Sequence, residues 1–435
     1  MKNLRPFQIV LLAGFALMAF IALIFLSNYT RQPSENEVSY GDQVIIWGTF
    51  PHEAFDTLFR NITQEDKPFR AVRYQSINEE KFDDLLVNAI AEGRSPDMII
   101  LPADRLVKHR AKLLAIPYDT IPLGTYRSTY VDGAEIFARK DGVYAVPFAV
   151  DPLMMYWNRD LFATNAIAQA PRTWEEVVSI VVPKITVRDS NRNIHTSALA
   201  FGEVRNVLRA KEVLMLLALQ SGSQMVYESD RGYVVALNQS AVPGSRPPLE
   251  AALQFYTDFS NANSPLYSWN RAMPEDKDVF ISGDLALYFG FGSEAQDIDR
   301  KNPNLNFDMT TVPQGGTATA LRTYGKFYGF AFPRAAANAQ GAFAAARTIT
   351  SPKYVSELTK SLNMAPVRRD LISQGDNNGY RSLILQAALI ARGWLDPDPV
   401  ASWQIFVQMV EDVVSNRARV AAAVGDAIDR LTLKY

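Results

Sequence analysis

The sequence predicts an α/β fold built on more than one hydrophobic core. Strand and helix patterns alternate from residue 43 onward, the signature of βαβ units in layered sheets. A length of 435 residues exceeds one ordinary core and points to two domains. An apolar content of 48% with 11% aromatics is enough to fill such cores and excludes intrinsic disorder.

Residues 7–26, FQIVLLAGFALMAFIALIFL, follow Lys2 and Arg5 and contain Gln8 as their only strongly polar side chain. That length spans a bilayer core as one helix, and the cations before it set its N-terminus inside. The following IFLSNYTRQ lacks a small-residue cleavage site, so 1–27 reads as an uncleaved membrane anchor with everything from Asn28 exported. A cleaved signal peptide is the competing reading. Residues 28–42, polar and carrying Pro33 and Gly41, form a tether.

The first strand is read at 43–50 (QVIIWGTF), and Pro51 opens the next helix, where its missing N–H is harmless. A second strand covers 69–77. The helix after it places Phe82, Leu85, Leu86, Ala89 and Ile90 on one stripe and stops at Gly93. The run 96–101 (PDMIIL) is continuously apolar, as in a buried parallel strand. Next comes 143–162, VYAVPFAVDPLMMYWNRDLF, an apolar run interrupted by Asp151. In APRTWEEVVSIV, Thr173 and Glu176 form a capping box at a helix start. Segments 204–220 and 247–261 read as helices, the second aligning Leu249, Ala252, Leu253 and Tyr256. Strand 284–292 runs into glycines, with Ser293 and Gln296 as a second capping box. A strand end thus meets a helix start, the place where α/β folds offer backbone amides to ligands. From Pro399 to about Leu433 the pattern is helical, with Asn416 between two helices.

Composition excludes several function classes. Lys and Arg total 44 against 46 Asp and Glu, a net charge of −2, so no concentrated basic face recruits nucleic acid. Without cysteine there is no disulfide, thiolate nucleophile or Cys-ligated metal. His52, His109 and His195 are scattered rather than spaced as ligands, so no metal site is expected. The chain has no phosphate-binding P-loop, no dinucleotide fingerprint after a strand, and neither H-E-x-x-H, an EF-hand loop nor G-x-S-x-G. No cofactor is expected.

Six segments then stand in a telling order: SPDMIILPADRL; VYAVPFAVDPLMMYWNRDLF with APRTWEEV; VFISGDLALYFGFGSE; FDMTTVPQGG; NMAPVRRDL; and WLDPDPVASWQIFVQMVEDVV. Together they make 43–435 resemble the extracellular solute-binding proteins of family 1, the maltodextrin-binding-like receptors of ABC importers. The resemblance implies a two-lobed periplasmic-binding-protein fold of type II, preceded here by the N-terminal transmembrane helix. One lobe would comprise 43–147 plus 325–392, the other 148–324 plus 393–435. Crossings at 143–162 and within 315–333 would join them, and the lobes would close on a small-molecule solute, carbohydrate by preference, without catalysis. It also implies ABC permease subunits as partners and a place on the extracytoplasmic side of the cell membrane, held by residues 7–26. Many members are lipoproteins anchored through an N-terminal cysteine. This chain has none, and its apolar helix offers another tether.

By position, Asp151 matches a cleft carboxylate of the family; the competing role is a cap on the Pro152 turn. Asp104 and Arg105 match an acid–base pair that hydrogen-bonds sugar hydroxyls, or else form a solvated helix start. Thr49, Phe50 and His52 follow the first strand at its C-terminal end, where such folds place ligand contacts, although Phe50 fits a core equally well. Trp269, Phe291, Tyr324 and Trp403 are the aromatic candidates for stacking on a sugar's C–H face. Leu101 and Ser293, the latter counted as a ligand contact, stand where maltodextrin binders carry aromatics, and Asp151 replaces a longer carboxylate. Those departures count against maltodextrin itself. Two alternatives remain: a glycoside hydrolase using Asp151 with Glu294, or Glu203 with Asp284, and a solute sensor serving a partner protein, since no signalling coiled coil is present on this chain.

Overall fold

Val44–Gly48, Val72–Ser76 and Met98–Pro102 form a parallel ladder, because the helices His52–Glu65 and Phe82–Ala91 return the chain between them. The structure is a computed structural model that describes residues 39–435 apart from 241–243, 245 and 319. The anchor expected at 7–26 and most of the tether lie outside the described residues. Among those described, no helix is long and apolar enough to cross a membrane.

Burial alternates along Val44–Gly48 but is complete along Met98–Pro102. The alternation survives there as a division of labour. Met98 and Ile100 join Val44, Ile46, Phe148, Phe330 and the helix Ala339–Ile349 in one hydrophobic cluster, whereas Ile99 and Leu101 join Phe82 and Leu86 in a second, larger one.

The sheet continues through two long strands. Thr323–Ala331 runs antiparallel to Met98–Pro102, and Val146–Asn158 runs antiparallel to Thr323–Ala331. Val146–Asn158 has 13 residues, more than one neighbour can cover. Its first half pairs with Thr323–Ala331 and Ala365–Pro366, its second with Leu285–Phe291 and Phe307–Thr311. One sheet therefore runs from Val72–Ser76 through these two long strands to Ile194–Leu199 and Val187–Arg188. Helices Ala210–Gln220, Pro248–Thr257, Pro399–Val414 and Val420–Thr432 bury their apolar faces in the larger cluster.

Local signals read from the sequence hold where the cap is local. The Thr173 hydroxyl accepts the Glu176 N–H at 3.2 Å and Glu176 accepts the Thr173 N–H at 3.3 Å. Asn416 adopts a φ of 57° between the last two helices. The helix expected over 204–220 begins only at Ala210. Upstream, the Asn206 amide donates to the carbonyls of Asn270 and Met273, and Asp276 accepts the Leu208 N–H. Those distant partners hold the segment in an irregular path that a helix could not follow.

Candidate functional site

Directly opposed residues of an antiparallel pair share a face. Lys326 opposes Asp151 and Tyr328 opposes Ala149, so the two central strands present Asp151, Lys326 and Tyr328 together, with Tyr324 on the same side at the period of two. The end of Met98–Pro102 delivers Asp104 to this face. Its Oδ2 lies 3.7 Å from the Lys326 ammonium, and Glu79 Oε1 lies 3.5 Å from it. Both separations are longer than a good hydrogen bond. Asp104 Oδ1 is buried and has no hydrogen-bond partner among the described residues. Burial alone would lower the Lys326 pKa, but Tyr328, Asp104 and Glu79 outweigh it and raise the pKa, so the ammonium stays charged.

Arg105 plays a different part from the one expected. Its guanidinium bonds Asp83 at 3.2 Å and lies 3.5 Å from Glu79, while Lys108 and His109 each reach the same Asp83 carboxylate at 2.9 Å. Burial would raise the Asp83 pKa; the bonds from His109 and Lys108 and the charge of Arg105 instead hold it well below the carboxylate range. Arg105 thus buttresses the loop that carries Asp104.

Asp151 is 3% exposed, and both its oxygens are engaged by one residue. Oδ1 accepts the Ser293 N–H at 3.1 Å and Oδ2 accepts the Ser293 hydroxyl at 2.5 Å. Burial pushes its pKa up to about 7 against the lowering effect of those two bonds. The carboxylate caps the turn Gly292–Glu294 that leads into Ala295–Lys301. Against the competing role, Asp151 bonds Ser293 rather than the Pro152 turn; and one expectation is corrected, since Ser293 forms no capping box with Gln296, whose side chain instead reaches Asn363.

Glu294 is fully occupied. Oε1 accepts from Arg209 and from the Phe291 N–H, and Oε2 meets Lys277 at 2.8 Å and the Tyr288 hydroxyl at 2.8 Å. Arg209 lies 4.9 Å from the Phe291 ring centroid, and Phe291 sits 6.5 Å from Tyr324. Asp151 and Glu294 therefore offer no free carboxylate oxygen to a glycosidic bond. Glu203, 5% exposed, pairs with Arg271 at 3.4 Å.

Other expected contacts fall elsewhere. Trp269 is fully buried and donates its indole N–H to Asn206, so it is core and not a stacking platform. Phe50 packs in the smaller cluster, 5.0 Å from the Tyr328 ring. His52 is exposed and pairs with Asp56 at 3.2 Å. Thr49 and Trp403 are half-buried, and Trp403 packs against the larger hydrophobic cluster. The residues that reasoning on the sequence passed over are Lys326, Tyr328, Glu79 and Arg209. For the first two a signal existed: Tyr324, Lys326 and Tyr328 alternate along a strand already expected to cross between lobes.

With that geometry in hand, the likeness to known proteins is informative. The family model for bacterial extracellular solute-binding protein matches residues 61–377. Proteins of Brucella abortus (strain 2308) and Brucella suis biovar 1 (strain 1330), named as binding proteins, are 20% identical over 328 residues, covering 71% of this chain and 73% of theirs. Among solved structures, a cyclo/maltodextrin-binding protein complexed with maltotetraose superposes with a TM-score of 0.71 at 16% identity, over 90% of this chain and 97% of that one. An ABC transporter solute binding protein from Thermotoga lettingae, bound with α-D-tagatose, gives 0.67 at 16% identity over 91% and 100%. The Thermus thermophilus maltotriose binding protein bound with maltotriose gives 0.65 at 14% over 89% and 99%. At such identities the likeness carries the fold, a two-lobed α/β architecture.

Proposed function

We propose, from the premise that this chain belongs to the bacterial extracellular solute-binding proteins, that it captures a sugar-like polar solute between two lobes and delivers it to an ABC importer. Membership makes it an extracytoplasmic binding protein rather than an enzyme. The lobes in this reading are 43–147 plus 325–392 and 148–324 plus 393–435, with Val146–Asn158 and Thr323–Ala331 as crossings. Residues 7–26 serve as the anchor that keeps the receptor beside its permease.

The observation that carries the reading is the Asp104–Lys326 pair. A buried acceptor without a donor is costly, and a solute hydroxyl donating to Asp104 Oδ1 while another accepts from Lys326 would satisfy both groups. Phe291, Tyr324 and Tyr328 supply the apolar surface beside them. The sugar ligands of the similar structures support this solute class.

A thermal-shift screen of residues 40–435 against monosaccharides, oligosaccharides and polyols identifies the solute, because a ligand specific for the folded state raises Tm by mass action. Asp104→Asn is then expected to weaken binding by about 1–3 kcal/mol while leaving the Tm of the empty protein nearly unchanged. An unaltered Kd in Asp104→Asn would remove Asp104 from the site. Release of a cleaved product would remove the binding-protein reading altogether.

A further inference from the structure

A basic cavity is lined by neither Asp104 nor Lys326. It measures about 550 Å³ and lies where residues 132–140, the start of Ser223–Ser229, Arg322 and the turn after Ala391–Arg392 converge. Three guanidiniums line it: Arg139, Arg322 and Arg392.

Their carboxylate complement is incomplete. Asp132 serves Arg392 at 2.7 Å, but its other oxygen is taken by Arg369 from outside the cavity. Glu135 pairs with Arg127 and the Glu228 Oε1 with Arg110, also outside it. Arg322 donates to the Leu321 carbonyl and Arg139 to the Glu135 carbonyl; among the described residues neither has a carboxylate within ion-pair distance. Arg139 Nε is buried without an acceptor, and Glu228 Oε2 is buried without a donor. The electrostatics agree: burial, then the neighbouring charge of Arg322, lowers the pKa of Arg392, and burial lowers that of Arg139.

We propose that this cavity is a binding site for a small oxyanion that also carries a hydroxyl, a hydrogenphosphate or a hydroxycarboxylate. Guanidinium forks match such anions bidentately. The anionic oxygens accept from Arg139, Arg322 and Arg392, and the ligand's O–H donates to Glu228 Oε2, which an anion lacking a hydroxyl would leave unsatisfied. The site is independent of any solute held at Asp104 and Lys326.

The test is a titration of the purified 40–435 protein, without sugar, with inorganic phosphate and separately with citrate, each against sodium chloride of equal ionic strength. A saturable Tm rise and a calorimetric heat with either anion are expected, and the stronger of the two tells phosphate from carboxylate. Arg322→Gln and Arg139→Gln, each keeping much of the side-chain length, are expected to weaken that affinity about tenfold or more while leaving sugar binding as in the parent protein. Shifts no larger than those in chloride, which mark an ionic-strength effect only, overturn the proposal. So do shifts that persist undiminished in both variants. Sugar binding is read separately, so failure here leaves the solute-receptor reading untouched.

Discussion

Asp151 and Asp276 show how a single residue can carry the pH dependence of the molecule. Both are buried, at 3% and 2% exposure, and burial pushes each pKa up to about 7 although backbone N–H groups bond to both. A carboxyl raised in the folded state binds its proton more tightly there than when unfolded. Its stabilising effect is therefore full below about pH 4 and is lost as pH rises through about 7. Unfolding free energy is expected to fall between about pH 4 and 7, by at most about 1.4 kcal/mol per unit for each group. Asp151→Asn keeps an acceptor for the Ser293 N–H and removes the titration, so its urea midpoint is expected to depend less on pH over that range. Parallel pH profiles for the two proteins would show that Asp151 does not titrate there.

Among the elements, the long strand Thr323–Ala331 is packed so closely that one missing methyl group matters. A Cβ at Gly133 would stand 2.2 Å from the Phe327 ring and 2.5 Å from the Ala391 carbonyl, a close approach that the short helix Asp132–Phe137 makes to Thr323–Ala331. Gly133→Ala is expected to destabilise by about 1–3 kcal/mol through overpacking, read as a lower urea midpoint. An unchanged midpoint would mean that Phe327 and the backbone at Ala391 yield without penalty. The helix Pro399–Val414 illustrates the opposite economy of contacts. Asp398 caps it by accepting the N–H groups of Val400 and Ala401, and the same carboxylate meets Lys108 at 2.9 Å, tying the helix start to the loop behind Asp104.

At the scale of the molecule, a buried ion pair joins segments 185 residues apart. Lys211, on Ala210–Gln220, meets Asp396 at 2.9 Å, and the Ser402 hydroxyl donates to the same oxygen at 2.7 Å. Asp396 is fully buried and Lys211 is 7% exposed. Removing one partner strands the other charge, so Asp396→Ala is expected to cost about 3–5 kcal/mol. The double variant Lys211→Met with Asp396→Leu is expected to regain most of that loss, because replacing a buried pair by apolar groups is often neutral. Calorimetric unfolding of the three proteins checks this. A single variant as stable as the parent would mean that water reaches Lys211.

The order of strands and helices was determined by the sequence itself, because its signals are local. Period-two and period-3.6 patterns, the Thr173–Glu176 box and the left-handed Asn416 each act within a few residues. Asp104 is singled out on other grounds, by the resemblance of its segment to the family, and it stands just after the end of a buried strand. Which polar groups are engaged and which are open was decided only by the tertiary structure. Asp151 meets Ser293 across 142 positions, and Trp269 finds Asn206 across 63. Asp104 Oδ1 is left buried without a partner among the described residues, while Oδ2 lies 3.7 Å from the Lys326 ammonium. A side chain's partner depends on which strands lie side by side and in what register, and that arrangement emerges from packing the two hydrophobic clusters together rather than from any stretch of chain.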